Sequence, residues 1–223
     1  MYIKNVLLAS AFALSTIAAP IPDCPDEDNN PVNPTPAVTA AQLTAIAPET
    51  ASCSGAPFPE ECADATQAAT ALSAAFETYQ ITTPGEQAAI IAYELFESAN
   101  FKYNKNHFPG RPGQGTRMMA MPPFVELYAT AVAGADAVTQ AKAAGGDAGL
   151  NAVLALVNGD DEKSFGSAAW FVSTQCSADV RAGLVAGTEE GWHAFLTECV
   201  QTTADPTRDP AWVAASGVIK AAN

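Results

Sequence analysis

Apolar positions along this chain recur mostly at intervals of three and four residues, the spacing that gathers them on one face of an α-helix. From Cys62 onward Ala65, Ala69, Leu72, Phe76 and Tyr79 form such a stripe. The next helix has the sharpest start. Thr83 as cap, Pro84 at the first helical position and Glu86 at the third predict a capping box, and Ile90, Ile91, Tyr93, Leu95 and Phe96 carry the helix to Glu97. Pro122-Pro123 opens a helix through Val125, Leu127, Tyr128 and Val132 that Gly134 ends. A further run, Ala135 to Ala144, stops at Gly145-Gly146, and Asp147 is expected to cap a helix through Leu150, Val153, Leu154 and Val157, before a polar turn at 158–162. Phe165 to Val172 is apolar all round, which predicts burial. Ser177 to Val185 and Thr188 to Val200 read as a helical hairpin, with Trp192, Phe195, Leu196, Cys199 and Val200 on one stripe. Asp209-Pro210 opens a last helix through Trp212 and Ile219. No stretch sustains period-two alternation and no repeat is visible. The expected fold is mostly α, a single compact helical domain.

The N-terminal region reads differently. Met1 to Ala19 has Lys4, an apolar run from Val6 to Ala18 and small residues before Pro20, the layout of a signal peptide and too short for a membrane span. Pro20 to Pro36 is proline-rich and acidic with little to bury, so residues 20–50 are expected to be a linker or propeptide, with a short helix at Thr39 to Ala47. The helical domain is then assigned to 51–223. A net charge of −14 disfavours nucleic acid and membrane surfaces as partners. Five cysteines fit an oxidising, extracellular setting. Pairing neighbours predicts Cys53–Cys62 around a short Gly/Pro segment and Cys176–Cys199 at the open ends of the hairpin, leaving Cys24 over. No glycosylation sequon is present, because Asn33 is followed by Pro34.

One stretch breaks the acidic, alanine-rich pattern. Ser98 to Arg117 holds Lys102, Lys105, Arg111, Arg117, His107 and three asparagines, with no carboxylate. A loop of this length between helices is a candidate binding or catalytic loop. Glu97 stands where the apolar helix meets it. A carboxyl among Ile90, Ile91, Leu95 and Phe96 loses hydration, and the helix C-terminus repels negative charge. Both effects raise its pKa toward the range of a general acid. The bland alternative is an exposed helix-end glutamate, paired with Lys102 or Arg117.

Glu97-Ser98, the aromatic Phe101, then Gly113-Gln114-Gly115 and Met118-Met119 resemble the lysozyme-like superfamily, in particular goose-type lysozymes and lytic transglycosylases. The match covers about two dozen residues. The resemblance implies a lysozyme-like, disulfide-stapled helical fold with Glu97 as general acid and Gln114 and its flanking glycines lining a sugar cleft. Asn100, Tyr103, Asn106, His107, Arg111 and Arg117 complete the expected substrate-binding set. The family's late tyrosine motif has no counterpart, since no tyrosine follows Tyr128. Glu126 and Asp136 are the nearest downstream carboxylates for a partner base. The implied function is a secreted glycosidase acting on peptidoglycan or a chitin-like aminosugar polymer, without cofactor or metal. The alternative is a non-catalytic secreted effector or surface protein that binds carbohydrate, and the overall make-up is similar to secreted proteins of filamentous fungi. His107 and His193 lack zinc-ligand spacing, and His193 beside Glu189 and Glu190 reads as a solvated contact. The GRPGQG run at 110–115 lacks the Lys-Ser/Thr ending of a phosphate loop.

Overall fold

A computed structural model describes residues 37–221. They form α1 (Ala40–Ile46), α2 (Ala65–Thr78), α3 (Pro84–Glu97), α4 (Pro122–Ala133), α5 (Ala135–Lys142), α6 (Gly146–Asn158), α7 (Asp161–Gln175), α8 (Ala178–Ala186), α9 (Glu189–Ala194) and α10 (Asp209–Ala221). Among the described residues extended structure is limited to isolated bridges, and no helix is long and apolar enough to cross a membrane. The mostly α domain expected from the apolar spacing, stapled by the disulfides expected from neighbouring cysteines, is the one observed.

The molecule is built around α3. Every residue from Gly85 to Leu95 is buried, so this helix has no solvent face until its last turn. Its most extensive neighbour is α10, and α8 crosses near its start. The crossing with α8 is close enough that a Cβ on Gly85 would lie 2.2 Å from the Leu184 carbonyl oxygen. On another side α2 packs along α7, while α4, α5 and α6 pack mainly on one another, with α4 and α6 also touching α7. Ile90 and Ile91 are wholly buried at the centre. Truncating either to alanine leaves a cavity at a cost of roughly 2–5 kcal/mol.

Several local expectations shift. Thr83 does accept a hydrogen bond from the Glu86 amide (3.4 Å), but the Glu86 carboxylate accepts from the Thr83 hydroxyl (2.8 Å) and from Arg181 Nε (2.6 Å) instead of closing a capping box. A long-range arginine outcompetes the local amide. Gly145, not Asp147, holds the N-cap position of α6, with Asp147 in the first turn. The polar turn at 158–162 turns out to contain a cap, Asp160, whose side chain accepts from the Lys163 amide (2.8 Å).

Both expected disulfides are present. Cys53–Cys62 closes a nine-residue separation, and Cys176–Cys199 joins the end of α7 to a π-helical turn, Phe195–Cys199, that follows α9. The core reaches further toward the N-terminus than position 51, since Val38, Leu43 and Ile46 are buried in it and α1 packs against α2 and α10. The expected leader, most of the linker and Cys24 lie outside the described residues.

Candidate functional site

The loop after α3 begins with a left-handed turn. Ala99, Asn100 and Phe101 have φ of 49°, 58° and 64°, a conformation that costs non-glycine residues about 1–2 kcal/mol each. Ser98 offsets part of this. Its hydroxyl donates to the Glu94 carbonyl (2.6 Å) and accepts from the Phe101 amide (2.9 Å), while the Asn100 amide reaches back to the Leu95 carbonyl (2.8 Å). Phe101 is buried edge-on to Phe165, with centroids 5.0 Å apart.

Beyond the turn, the loop is tied to itself and to α6. Asn106 Oδ1 accepts from the Gly110 and Arg111 amides (2.9 and 3.1 Å), and its own amide donates to the Gln114 carbonyl (2.9 Å). Gly113 donates to Asn151 Oδ1 on α6 (2.9 Å), at a φ of +71° that favours glycine. A Cβ on Gly115 would stand 2.5 Å from the Asn104 carbonyl oxygen and 2.9 Å from Leu154. These two glycines, expected to line a sugar cleft, are instead buried so that the backbone can pass against α6.

This arrangement opens two adjoining clefts. The first, about 350 Å³, is lined by Glu97, Tyr103, Asn106, His107 and Gln114, together with Phe96, Ala99, Lys105, Phe108 and Met119. The second, about 570 Å³, shares Lys105, Asn106 and Gln114 and adds Glu61, Asn104, Arg111, Asn151 and Asn158 among others. Five of the eight expected site residues therefore meet in one pocket, and Arg111 joins Asn106 and Gln114 in the next. Asn100 lines neither cleft. Arg117, expected in the substrate-binding set, lines neither cleft. Only 1 % exposed, it lies beneath the loop, where Nη1 donates to the Phe101 and Tyr103 carbonyls (3.0 and 3.1 Å) and Nη2 to Asp161 (3.0 Å). Glu126, one carboxylate considered as partner base, is paired with Lys142 on the α4–α5 face. Neither it nor Asp136, in the first turn of α5, lines the Glu97 pocket.

Glu97 is the carboxylate that lines the first cleft among the described residues. Its side chain is 18 % exposed, and Arg208 Nη1 donates to Oε1 at 2.6 Å. Burial pushes the carboxyl above its ordinary value, and the Arg208 hydrogen bond and charge only partly offset this. The guanidinium is itself held by stacking 4.2 Å over Phe96 and 5.9 Å over Tyr93. One turn earlier Glu94 is fully buried with neither carboxyl oxygen hydrogen-bonded, and burial raises its pKa strongly against the pull of Arg117. Sequence reasoning missed Arg208 and Glu61. Glu61, 3 % exposed, accepts from His107 Nε2 (2.8 Å), Lys105 Nζ (3.0 Å) and the Asn104 amide (3.3 Å). Burial raises its pKa, but those donors outweigh it and hold the carboxyl below the ordinary value. His107 also stacks on Phe58 at 3.6 Å, nearly parallel. The aromatic Phe108 stands 79 % exposed at the loop tip, beside the pocket.

No family model matches this chain, and no solved structure matches it. It is 37 % identical, over 164 residues covering 69 % of the chain, to a protein of Fusarium oxysporum (strain Fo5176) described as a bifunctional dioxygenase (DOX)-epoxy alcohol synthase (EAS). The chain spans 12 % of the length of that protein.

Proposed function

We propose that this domain is a secreted, lysozyme-like glycosidase that cleaves an aminosugar polymer, with Glu97 as general acid. The observation that carries the reading is a mostly buried carboxyl with a raised pKa, set at the end of a buried helix and opening into a pocket of amide, aromatic and hydroxyl groups. Asn106, Gln114 and Tyr103 offer donors and acceptors suited to sugar hydroxyls and N-acetyl groups, and Phe108 offers a ring face for stacking on a sugar. A bound sugar displaces water from around Glu97, which raises its pKa further and readies the proton for the glycosidic oxygen. Arg208 receives the carboxylate after transfer, because its stacking on Phe96 keeps the guanidinium in place. Glu61 acts through Lys105 and His107, orienting both at the pocket wall. The two disulfides support secretion, as does the signal-peptide pattern of the first 19 residues.

The related Fusarium protein favours a second reading. The resemblance covers a small part of a protein described by a different chemistry, which suits a non-catalytic accessory module; the amide and aromatic lining of the pocket is what would let such a module bind carbohydrate without cleaving it. Glu97→Gln separates the two. The substitution keeps shape and removes the transferable proton, so turnover of cell-wall or chitin-oligomer substrate at mildly acidic pH should fall roughly 10²–10⁴-fold, with binding retained. Wild-type protein that binds the polymer but releases no sugar would establish the accessory reading. Equal turnover in the variant would remove Glu97 from the chemistry.

A further inference from the structure

Away from the residues that line the Glu97 cleft, three potential metal ligands converge. Glu189 and His193 are four residues apart on α9, the spacing that places both side chains on one helix face. Asp209, the first residue of α10, comes to meet them. One donor atom from each lies within 4.8 Å of the others, and His193 Nε2 stands 3.0 Å from Asp209 Oδ1. We propose that Glu189, His193 and Asp209 bind a first-row divalent cation of the zinc type. This site lies outside the pocket of Glu97, and the proposal stands whether or not Glu97 is catalytic.

The donor set decides the class of ion. An imidazole nitrogen beside two carboxylates suits zinc and its neighbours, whereas calcium and magnesium select all-oxygen sites. Zinc–ligand bonds of about 2.0–2.1 Å set donor atoms roughly 3.3 Å apart around a tetrahedral ion, so the His193–Asp209 separation needs little adjustment. Asp209 is oriented from behind, because the indole Nε1–H of buried Trp192 donates to Oδ1 at 3.0 Å. Such outer hydrogen bonds are characteristic of metal ligands. The frame is rigid. Trp192 stacks on Trp212 with nearly parallel rings 6.3 Å apart, joining α9 to α10, and Cys176–Cys199 fixes the π-helical turn beyond His193. Glu189 is exposed while His193 and Asp209 are partly buried, so solvent reaches the ion and supplies the remaining ligands. The net charge of −14 raises the local concentration of cations. Bound there, the ion would clamp the start of α10 one residue from Arg208, whose guanidinium holds Glu97.

The test is calorimetric titration of the chelator-treated full chain with zinc chloride, and with magnesium chloride for comparison. One equivalent of zinc should bind and magnesium should not. His193→Ala should weaken zinc binding by at least ~10–100-fold, the loss that follows even from removing an outer partner of a ligand. Glu189→Gln, at an exposed position, should also weaken it, and His107→Ala should leave it unchanged. Circular dichroism of the ion-free variants checks that they fold. Absence of stoichiometric zinc binding in the wild type would overturn the proposal. So would binding that survives His193→Ala in a folded protein or that His107→Ala abolishes.

Discussion

Arg117→Ala should destabilise the domain, whereas Arg111→Ala should not, although both arginines belong to the same basic loop. The magnitude follows from what each side chain touches. Removing the Arg117 guanidinium leaves the Tyr103 carbonyl without its donor, takes one of two donors from the Phe101 carbonyl, which keeps the Ala63 amide (3.0 Å), and strips Asp161 of its partner. The acceptor left unpaired costs about 1–3 kcal/mol, and Asp161, itself a third exposed, recovers part of its loss from water. Lost packing against Phe165, over which the guanidinium carbon stands at 4.7 Å, adds to this. The total is roughly 3–5 kcal/mol, the usual range for breaking a buried pair by removing one partner. For a domain of this size each kcal/mol lowers the melting temperature by about 2–4 °C. Arg111 is exposed and makes a long contact to the Met121 sulfur (3.7 Å), so its removal should stay within about 0.5 kcal/mol. Urea unfolding followed by circular dichroism reads both. A loss below about 1 kcal/mol for Arg117→Ala, at unchanged denaturant slope, would refute the assignment of this arginine to the foundation of the loop.

Two further outcomes follow from the buried acids. Glu94 has a folded pKa raised by burial above its unfolded value, so its contribution is favourable at low pH and is lost as pH rises from the ordinary carboxylate range upward. Glu94→Gln should therefore flatten the pH dependence of the urea midpoint between pH 5 and pH 8, relative to wild type; parallel curves would contradict its placement as an unpaired acid. Arg208→Gln removes the cation that lowers the Glu97 pKa, so the Glu97 carboxyl, followed by carbon-13 NMR, should titrate at higher pH in the variant. An unchanged midpoint would mean that the pair at 2.6 Å carries no electrostatic coupling.

What could be read from the sequence was mainly local. The helix stripes, the proline starts and the pairing of neighbouring cysteines depend on residues within a few turns of one another, and all appear in the structure. The position of Glu97 was legible for the same reason, as an acid at the end of a largely apolar helix. Its partner was not, because Arg208 is 111 residues away and sits in a segment without apolar period. The same limit hid Glu61, 46 residues before His107, and Asp209, 16 residues after His193. Thr39 to Ala47 was read as a short helix within a linker because two buried positions, Leu43 and Ile46, are too few to signal a core face. Gly113 and Gly115 looked like part of a sugar-lining surface, yet their role is steric, and the atoms that demand it belong largely to α6, some 40 residues away.

The basic character of the loop has a structural origin. Lys102 Nζ donates to the Glu49 and Ser52 carbonyls (2.8 and 2.7 Å), fastening the loop to the N-terminal segment. Lys105 and His107 are held by Glu61, and Arg117 is held by two carbonyls and Asp161. A loop with a long left-handed turn and no regular backbone pairing leaves many carbonyls to satisfy, and cationic side chains supply several donors each. The cations concentrated here therefore serve mainly to hold the loop in place, and Lys105 and Arg111 are the exposed ones at the clefts. What the first pocket presents once these pairs are counted is a set of amides, aromatic rings and one carboxyl already matched by Arg208. On the reading proposed above, that surface would meet the uncharged hydroxyl and acetamido groups of an aminosugar rather than the phosphates or carboxylates of an anionic polymer. The chain's overall negative charge disfavours such anionic polymers as well.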